Sequence, residues 1–345
     1  MTPVGFGVIG LSARGRALVH GFAGVRDAEV RWLFDESPAP ALRLAPTVPR
    51  AGCASRIEDI LGDRTLDAVV ICTPPATRGE LTRRAIEAGK HVLVEPPLAP
   101  ERQDADDLVA LAADRGLELM TAGPLCFHPA VQRLKALIAE RRLGELYYLY
   151  ASRLDLTPAR QDESVRWTAG AEALSLLLWT VDDEPVDVVA RGGPCASAEA
   201  ADVAFCHLRF ASGLEAELRI SSLEPRRTLQ LTAVGSTGMA VFDELEGEHP
   251  LTIHHTIAHP DGCSSAGDTY APRLPAAEPA QALCEAFLAA VASPGARANV
   301  GDGSLLVAIL EALQRSLERG GSREIVGTTW RESAPGVIRL PLRSV

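Results

Sequence analysis

The sequence predicts an α/β protein of two domains: a parallel sheet wound with helices, then an α/β domain built on a mostly antiparallel sheet. Three observations carry that reading. Short apolar runs alternate with helical patterns through the first third of the 345 residues, as a parallel sheet with crossover helices requires. From about Gly123 the pattern turns to alternating strand segments, which suit antiparallel strands with one buried face. A composition of 47% hydrophobic and 23% charged residues fits a globular chain long enough for two cores and excludes disordered or collagen-like architectures. The domains are placed at 1–122 and 123–345.

In the first domain, Phe6-Gly7-Val8-Ile9-Gly10 and Glu29-Val30-Arg31-Trp32-Leu33-Phe34-Asp35 read as strands flanking a helix at Arg16–Phe22. Ala68-Val69-Val70-Ile71-Cys72 and His91-Val92-Leu93-Val94-Glu95 are apolar runs of the kind buried on both faces. Helical stretches at Ile57–Leu61, Arg78–Glu87 and Arg102–Arg115 separate them, and Leu117–Met120 reads as a further strand. In the second domain, a helix at Pro129–Arg142 leads to a strand at Glu145–Asp155 and a helical run at Ala171–Val181. Strands follow at Val203–Phe210, Gly213–Ser221, Thr228–Val234 and Met239–Phe242, the last pair joined by Gly235-Ser236-Thr237-Gly238. Helices at Pro279–Ala292 and Gly303–Leu317 close the pattern. The alternation Ala204, Cys206, Leu208, Phe210 and Leu214, Ala216, Leu218, Ile220 predicts an apolar outer sheet face, to be covered in a homodimer or homotetramer.

Net charge is −11, which repels phosphate backbones and argues against nucleic-acid partners. No apolar run reaches the ~18 residues a membrane span needs, and the chain start has no basic region before its apolar stretch, so a cytoplasmic location is expected. Seven scattered cysteines without a C-x-x-C pair suggest reduced, mostly buried thiols and no metal site. The two lysines, Lys90 and Lys135, read as solvated surface residues.

A strand ending at Gly10, then Leu11-Ser12-Ala13-Arg14-Gly15 and a helix, occupies the frame of G-x-G-x-x-G, with Asp35 at the end of the second strand. In this dinucleotide-binding layout, glycines make the tight turn, the helix N-terminus faces a pyrophosphate and the acid accepts ribose hydroxyls. Ser12 replaces the second glycine; it is small, and its hydroxyl adds a phosphate donor. A tight strand-to-helix turn without a ligand is the other reading of the same letters. Asp35 beside Glu36 opposes a 2′-phosphate, so NAD is expected over NADP.

Further segments occur in a fixed order: Leu66-Asp67-Ala68-Val69-Val70-Ile71-Cys72-Thr73-Pro74-Pro75, then Ala88-Gly89-Lys90-His91-Val92-Leu93-Val94-Glu95-Pro96-Pro97-Leu98-Ala99. They continue with Phe127-His128-Pro129-Ala130-Val131, Leu143-Gly144-Glu145-Leu146-Tyr147-Tyr148, Glu184-Pro185-Val186, Val234-Gly235-Ser236-Thr237-Gly238-Met239 and Glu311-Ala312-Leu313-Gln314-Arg315-Ser316-Leu317. From about residue 4 to about residue 324 the chain resembles the Gfo/Idh/MocA family, with its T-P loop and G-K-H-V-x-x-E-K-P-x-A signature. The resemblance implies a Rossmann domain, a C-terminal α/β domain, and hydride transfer between NAD(P) and a sugar, cyclitol or related small molecule. It also implies that Gly10, Ser12, Arg14, Gly15, Asp35, Thr73, Pro74 and Glu95 line the cofactor.

Hydride transfer between alcohol and ketone also moves a proton, so the site needs an acid/base. Pro96 stands where the resembling pattern has its lysine. Laid over V-x-W-D-L-x-P-H-D-L-S-x-L, the segment Val165–Leu178 puts Thr168, Glu172 and Ala173 in place of Asp, His and Asp. One lost general acid costs ~10² to 10⁴ in rate. Glu172 and His128 are the remaining candidates. Glu172 reads either as an acid with a raised pKa in an apolar cleft or as a carboxylate capping or paired on its helix. His128 reads either as an acid or as a structural histidine at a turn. Arg153 and Arg166 read either as holders of an anionic or polyhydroxylated ligand or as salt-bridge partners. The expected function is a divergent NAD(P)-dependent oxidoreductase homologue for a sugar-like metabolite. The alternatives are a redox-neutral enzyme on the same scaffold, or a non-catalytic partner protein.

Overall fold

The computed structural model describes residues 3–156, 169–181, 183–195, 201–258, 264–276, 278–292 and 303–327. Arg166 and Thr168 lie outside the described residues. The chain divides into two compact units, Met1–His128 with Ala276–Val307, and Pro129–Pro275 with Ala308–Val345.

The first unit holds strands β1 (Val4–Ile9), β2 (Ala28–Phe34), β3 (Gly52–Cys53), β4 (Ala68–Ile71), β5 (His91–Val94) and β6 (Leu119–Thr121) in one parallel sheet of order β3-β2-β1-β4-β5-β6. This is the doubly wound Rossmann order. Its switch point, where ligands bind in such sheets, lies at the carboxyl ends of β1 and β4. Helices α1 (Ala13–Ala23), α2 (Pro38–Leu44), α3 (Ile57–Leu61), α4 (Pro75–Glu87) and α5 (Arg102–Asp114) make the crossovers. Helix α4 opens on Pro75, whose missing N–H costs nothing at a first helical position.

Each face of this sheet has its own core. On one, Phe6 of β1 meets Phe22 of α1 with ring centroids 4.2 Å apart, and both lie near Phe287. On the other, Ile9, Ile71, Ile86, Val94 and Leu108 are buried together. Phe287 belongs to α8 (Pro279–Ala292), which the sequence reading assigned to the second domain. Its Leu283, Cys284, Phe287 and Ala290 are buried in the core beside α1. Burying a side chain such as Leu or Phe stabilises by about 1.5–3 kcal/mol, and that surface ties α8 to the first unit whatever its place in the chain.

The second unit is a nine-stranded sheet of order β14-β13-β12-β11-β7-β10-β9-β8-β15. Its strands are β7 (Leu146–Leu156), β8 (Pro185–Gly193), β9 (Val203–Phe210), β10 (Glu215–Ser221), β11 (Leu223–Gly235), β12 (Gly238–Asp243), β13 (Leu251–Ala258), β14 (Ser264–Tyr270) and β15 (Glu324–Ile325). Every pairing is antiparallel except β7 with β10. Helices α6 (Pro129–Ala139) and α7 (Ala171–Thr180) pack against β7, β11, β12 and β13. In α9 (Gly303–Glu318), Ser316 Oγ accepts from the Ala190 N–H of β8 at 2.8 Å.

Two expectations are corrected here. The apolar row Ala204, Cys206, Leu208, Phe210, Ala216, Leu218 and Ile220 is buried within the chain. It is the inner face of the sheet, and the opposite face presents Tyr148, Phe205, Glu215, Glu217 and Arg219. Alternation shows that a strand has one buried face without saying what buries it. Lys90, read as a solvated residue, is only 5% exposed and donates to the Asp63 and Leu66 carbonyls at 2.7 and 2.8 Å. Burial holds its pKa below the usual lysine value. Lys135 is half-buried, its ammonium 3.8 Å from the Trp179 ring centroid in a cation–π contact.

At the start of β5, His91 Nδ1 accepts the Glu118 backbone N–H at 2.9 Å, so this nitrogen carries no proton. Burial pushes its pKa below 6.5, against a smaller opposing pull from Asp67. Half-buried His128 is held down by burial as well. With folded pKa values depressed, the unfolded chain takes up these protons first. Stability is therefore fully present above about pH 6.5 and declines as pH falls through the folded values. Urea midpoints measured from about pH 7.5 to about pH 5 should fall in the parent protein. They should fall less in His91→Asn, whose side-chain oxygen accepts the same N–H without titrating.

Candidate functional site

At the carboxyl end of β1 the chain turns through Gly10, with φ +91°, a conformation open to glycine at little cost. A Cβ there would stand 2.6 Å from the carbonyl carbon and oxygen of Cys72, and a Cβ on Gly15 would stand 2.1 Å from the Gly10 carbonyl oxygen. Both glycines are therefore required by close backbone packing. Ser12 is the N-cap of α1, its Oγ accepting from Gly15 N at 3.3 Å. Asp35, just past β2, accepts the Leu11 N–H at 2.7 Å through Oδ2 and the Ser37 N–H at 3.2 Å through Oδ1. The acid at the end of the second strand thus fixes the glycine turn itself.

The neighbouring loops are joined through Glu95, at the end of β5. Its Oε1 pairs with the Arg14 guanidinium from the first turn of α1, and its Oε2 with Arg78 of α4 at 2.9 Å. Arg78 also donates to the Thr73 carbonyl at 2.7 Å and to the Pro96 carbonyl. The Pro96–Pro97 bond that follows is cis. Thr73 is half-buried and Pro74 exposed, and Thr73 Oγ1 lies 3.0 Å from Thr77 Oγ1. Cys72, beneath this loop, is buried, and burial pushes its thiol well above the usual range. It is no nucleophile.

The structure thus brings Gly10, Ser12, Gly15 and Asp35 into one turn, and Arg14, Thr73 and Glu95 into one hydrogen-bonded cluster. Arg78 was missed. Its signal was its position, since it shares a helical stripe with Leu81, Thr82 and Ala85, all buried. A cation on an apolar stripe has to find an anion or several carbonyls.

In the second unit, Glu172 lies in the first turn of α7. Its Oε2 accepts from Arg153 Nε at 2.9 Å, and Arg153 also contacts Asp155 at 3.3 Å. Of the two readings of Glu172, the paired carboxylate is the one observed. Arg153 is a salt-bridge partner, and both side chains are largely buried. Ala173, beside Glu172, is fully buried. His128 follows a short 3₁₀ turn, its backbone N–H donating to the Leu125 carbonyl at 3.0 Å.

Residues 4–122 match the model of an oxidoreductase family with an NAD-binding Rossmann fold, and residues 131–241 match the GFO/IDH/MocA C-terminal domain. The chain is 31% identical over 228 residues to the UDP-N-acetylglucosamine 3-dehydrogenase of Acidithiobacillus ferrooxidans, covering 65% of this chain and 70% of that protein. The chain belongs to the Gfo/Idh/MocA family. Among other Gfo/Idh/MocA relatives, the inositol 2-dehydrogenase of Rhizobium meliloti is 30% identical over 144 residues, 41% of this chain and 43% of that one. The solved structure of the Acidithiobacillus enzyme aligns at 26% identity with a TM-score of 0.76, covering 92% of this chain and 99% of that one. A structure of GenD2, from gentamicin A biosynthesis and in complex with NAD, shares the fold at TM-score 0.79 and 21% identity, covering 95% and 97%. NAD as cofactor fits the family and the glycine turn.

Proposed function

We propose that this chain is a divergent NAD-dependent oxidoreductase for a sugar-like polar metabolite, working without the lysine that the resembling signature places at position 96. The observation that carries the proposal is the Gly10–Gly15 turn, closed on itself by the Asp35 carboxylate at a Rossmann switch point. Relatives named for a nucleotide sugar and for inositol support a polyhydroxylated substrate. In this reading the first-turn amides of α1 and the Ser12 hydroxyl hold a pyrophosphate, and Asp35 accepts ribose hydroxyls. Arg14, Thr73, Pro74 and Glu95 border the cofactor. NAD, when bound, supplies or removes a hydride. Glu172, as a carboxylate paired with Arg153, accepts a proton where a protonated acid would donate one. His128 is the second candidate for that proton.

Pro96 and Ala173, at positions where the resemblance expects Lys and Asp, favour a second reading: redox-neutral chemistry on the same scaffold, or a non-catalytic partner role. We further infer a homodimer or homotetramer through the outer sheet face, where Phe205 is 53% and Tyr148 46% exposed.

Calorimetric titration should show NAD binding more tightly than NADP; the reverse order would remove Asp35 from its role. With NAD and a panel of sugars and cyclitols, turnover should fall by ~10² or more in Glu172→Gln, which keeps the side chain's size but loses its proton affinity. An unchanged rate transfers the role to His128 or water. No absorbance change with either NAD or NADH, together with an isomer or a loss of water detected by mass spectrometry, would establish the redox-neutral reading. Light scattering at micromolar concentration should show an oligomer that Phe205→Glu dissociates, and a monomeric parent protein would refute the interface.

A further inference from the structure

In the second unit, β11 does not follow β7 residue for residue. Leu223 pairs with Leu156 and Thr228 with Leu154, so the four residues Glu224–Arg227 stand against the single Asp155. A bulge of this kind bends the strand and re-aims its side chains. Further along, Gln230 pairs with Asp243 of β12, and the chain then turns, Asp243 Oδ1 accepting the Leu245 N–H at 2.9 Å. The bulge, the turn and the strand residues Thr228, Gln230 and Asp243 line a cleft of about 370 Å³.

This cleft is separate from the groups assigned to chemistry above. Successive strand residues point to opposite faces. Leu229 is buried and paired with Arg153, which holds Glu172, whereas its neighbours Thr228 and Gln230 point to the other side of the sheet. The glycine turn belongs to the other unit.

Most of the charge around the cleft is matched. Glu224 pairs with Arg219 and Arg227 with Glu244, each at 2.6 Å, and Gln230 Nε2 donates to Asp243 Oδ2 at 3.2 Å. Two groups are left over, and they are of opposite sign. The Arg226 guanidinium and the Glu246 carboxylate are exposed, line the same cleft and have no hydrogen-bond or ion-pair partner among the described residues. They do not close on each other. A ligand with one charge would be attracted by one of them and repelled by the other. A ligand with both charges satisfies both.

We propose that this cleft binds a small zwitterion, its carboxylate held by Arg226 and its ammonium by Glu246. The planar guanidinium matches a carboxylate with two parallel N–H donors, and a carboxylate accepts from an ammonium. The Thr228 hydroxyl and the Gln230 amide offer hydrogen bonds between the two ends. The volume lies near the lower end of small-molecule sites, which selects an amino acid or comparable aminocarboxylate over a nucleotide or a peptide. The proposal stands independently of the NAD reading.

The test is titration calorimetry on the full chain with glycine, γ-aminobutyrate and ε-aminocaproate, which carry the two charges at increasing separation. Butyrate and butylamine, with one charge each, are the controls. At least one zwitterion should bind in the millimolar range or tighter, and ~10-fold or more tightly than either control, the scale of one charge-assisted hydrogen bond. Arg226→Gln and Glu246→Gln should each weaken that binding by ~10-fold or more. The melting temperature should not move, because both side chains are exposed, and Arg226→Lys should recover part of the loss. Saturating NAD should leave zwitterion affinity unchanged. No zwitterion binding, butyrate binding as tightly, displacement by NAD, or affinity indifferent to both substitutions would each overturn the proposal. A second copy of the chain is the competing occupant, because the cleft shares the outer sheet face with Phe205. An oligomer that Arg226→Gln dissociates, read by light scattering, would assign these charges to a contact between copies and overturn the site.

Discussion

At Gly10 the backbone turns against the main chain of Cys72 and Thr73 so closely that a Cβ would stand 2.6 Å from the Cys72 carbonyl, and the first unit is organised around that approach. It brings the turn after β1 against the end of β4, and Gly15, pressed on the Gly10 carbonyl, starts α1 without a gap. Asp35 then reaches the Leu11 N–H from the end of β2. From the same helix start, Arg14 reaches Glu95 at the end of β5. The loops after four strands are thus held together by two glycines, two carboxylates and two guanidiniums. Without close packing at Gly10 the helix would start farther out and these bonds would be broken.

The two units solve burial differently. The parallel sheet is covered on both faces, so its central strands are apolar throughout, and α8 returns from late in the chain to complete one of those faces. The second sheet buries one face beneath its own helices and leaves the other to solvent or to a partner. Its alternating strands record that difference, and the charged residues of the outer face keep most of it polar. The Arg153–Glu172 pair lies among buried groups, where a lone charge of either sign would be costly.

Much of the architecture was legible because apolar periodicity is a local property. The buried runs at 68–71 and 91–94 and the helices at 57–61 and 279–292 follow from the sequence alone. So do the glycine turn and its acid, because their spacing is a property of one strand-turn-helix unit. The short helix at Pro38–Leu44 carries two prolines, which obscure its helical pattern, although proline is well placed in a first helical turn. The strand Pro185–Gly193 was missed because it starts on proline and ends on two glycines, which weaken any strand signal.

What the sequence determined by itself was the class of each element, the sheet type of each half and the family to which the chain belongs, since all three rest on short-range patterns and on motifs in order. Only the tertiary structure decided which face of the second sheet is the inner one, because alternation is symmetric until a helix covers one side. It alone assigned α8 to the first unit, because Phe287 finds Phe6 and Phe22 across more than 250 positions of chain. It likewise turned Lys90 from a surface charge into an internal donor, and Arg78 from one arginine among many into the link between two loops. The partners of a buried charge are chosen by proximity in space, and no local pattern carries that information.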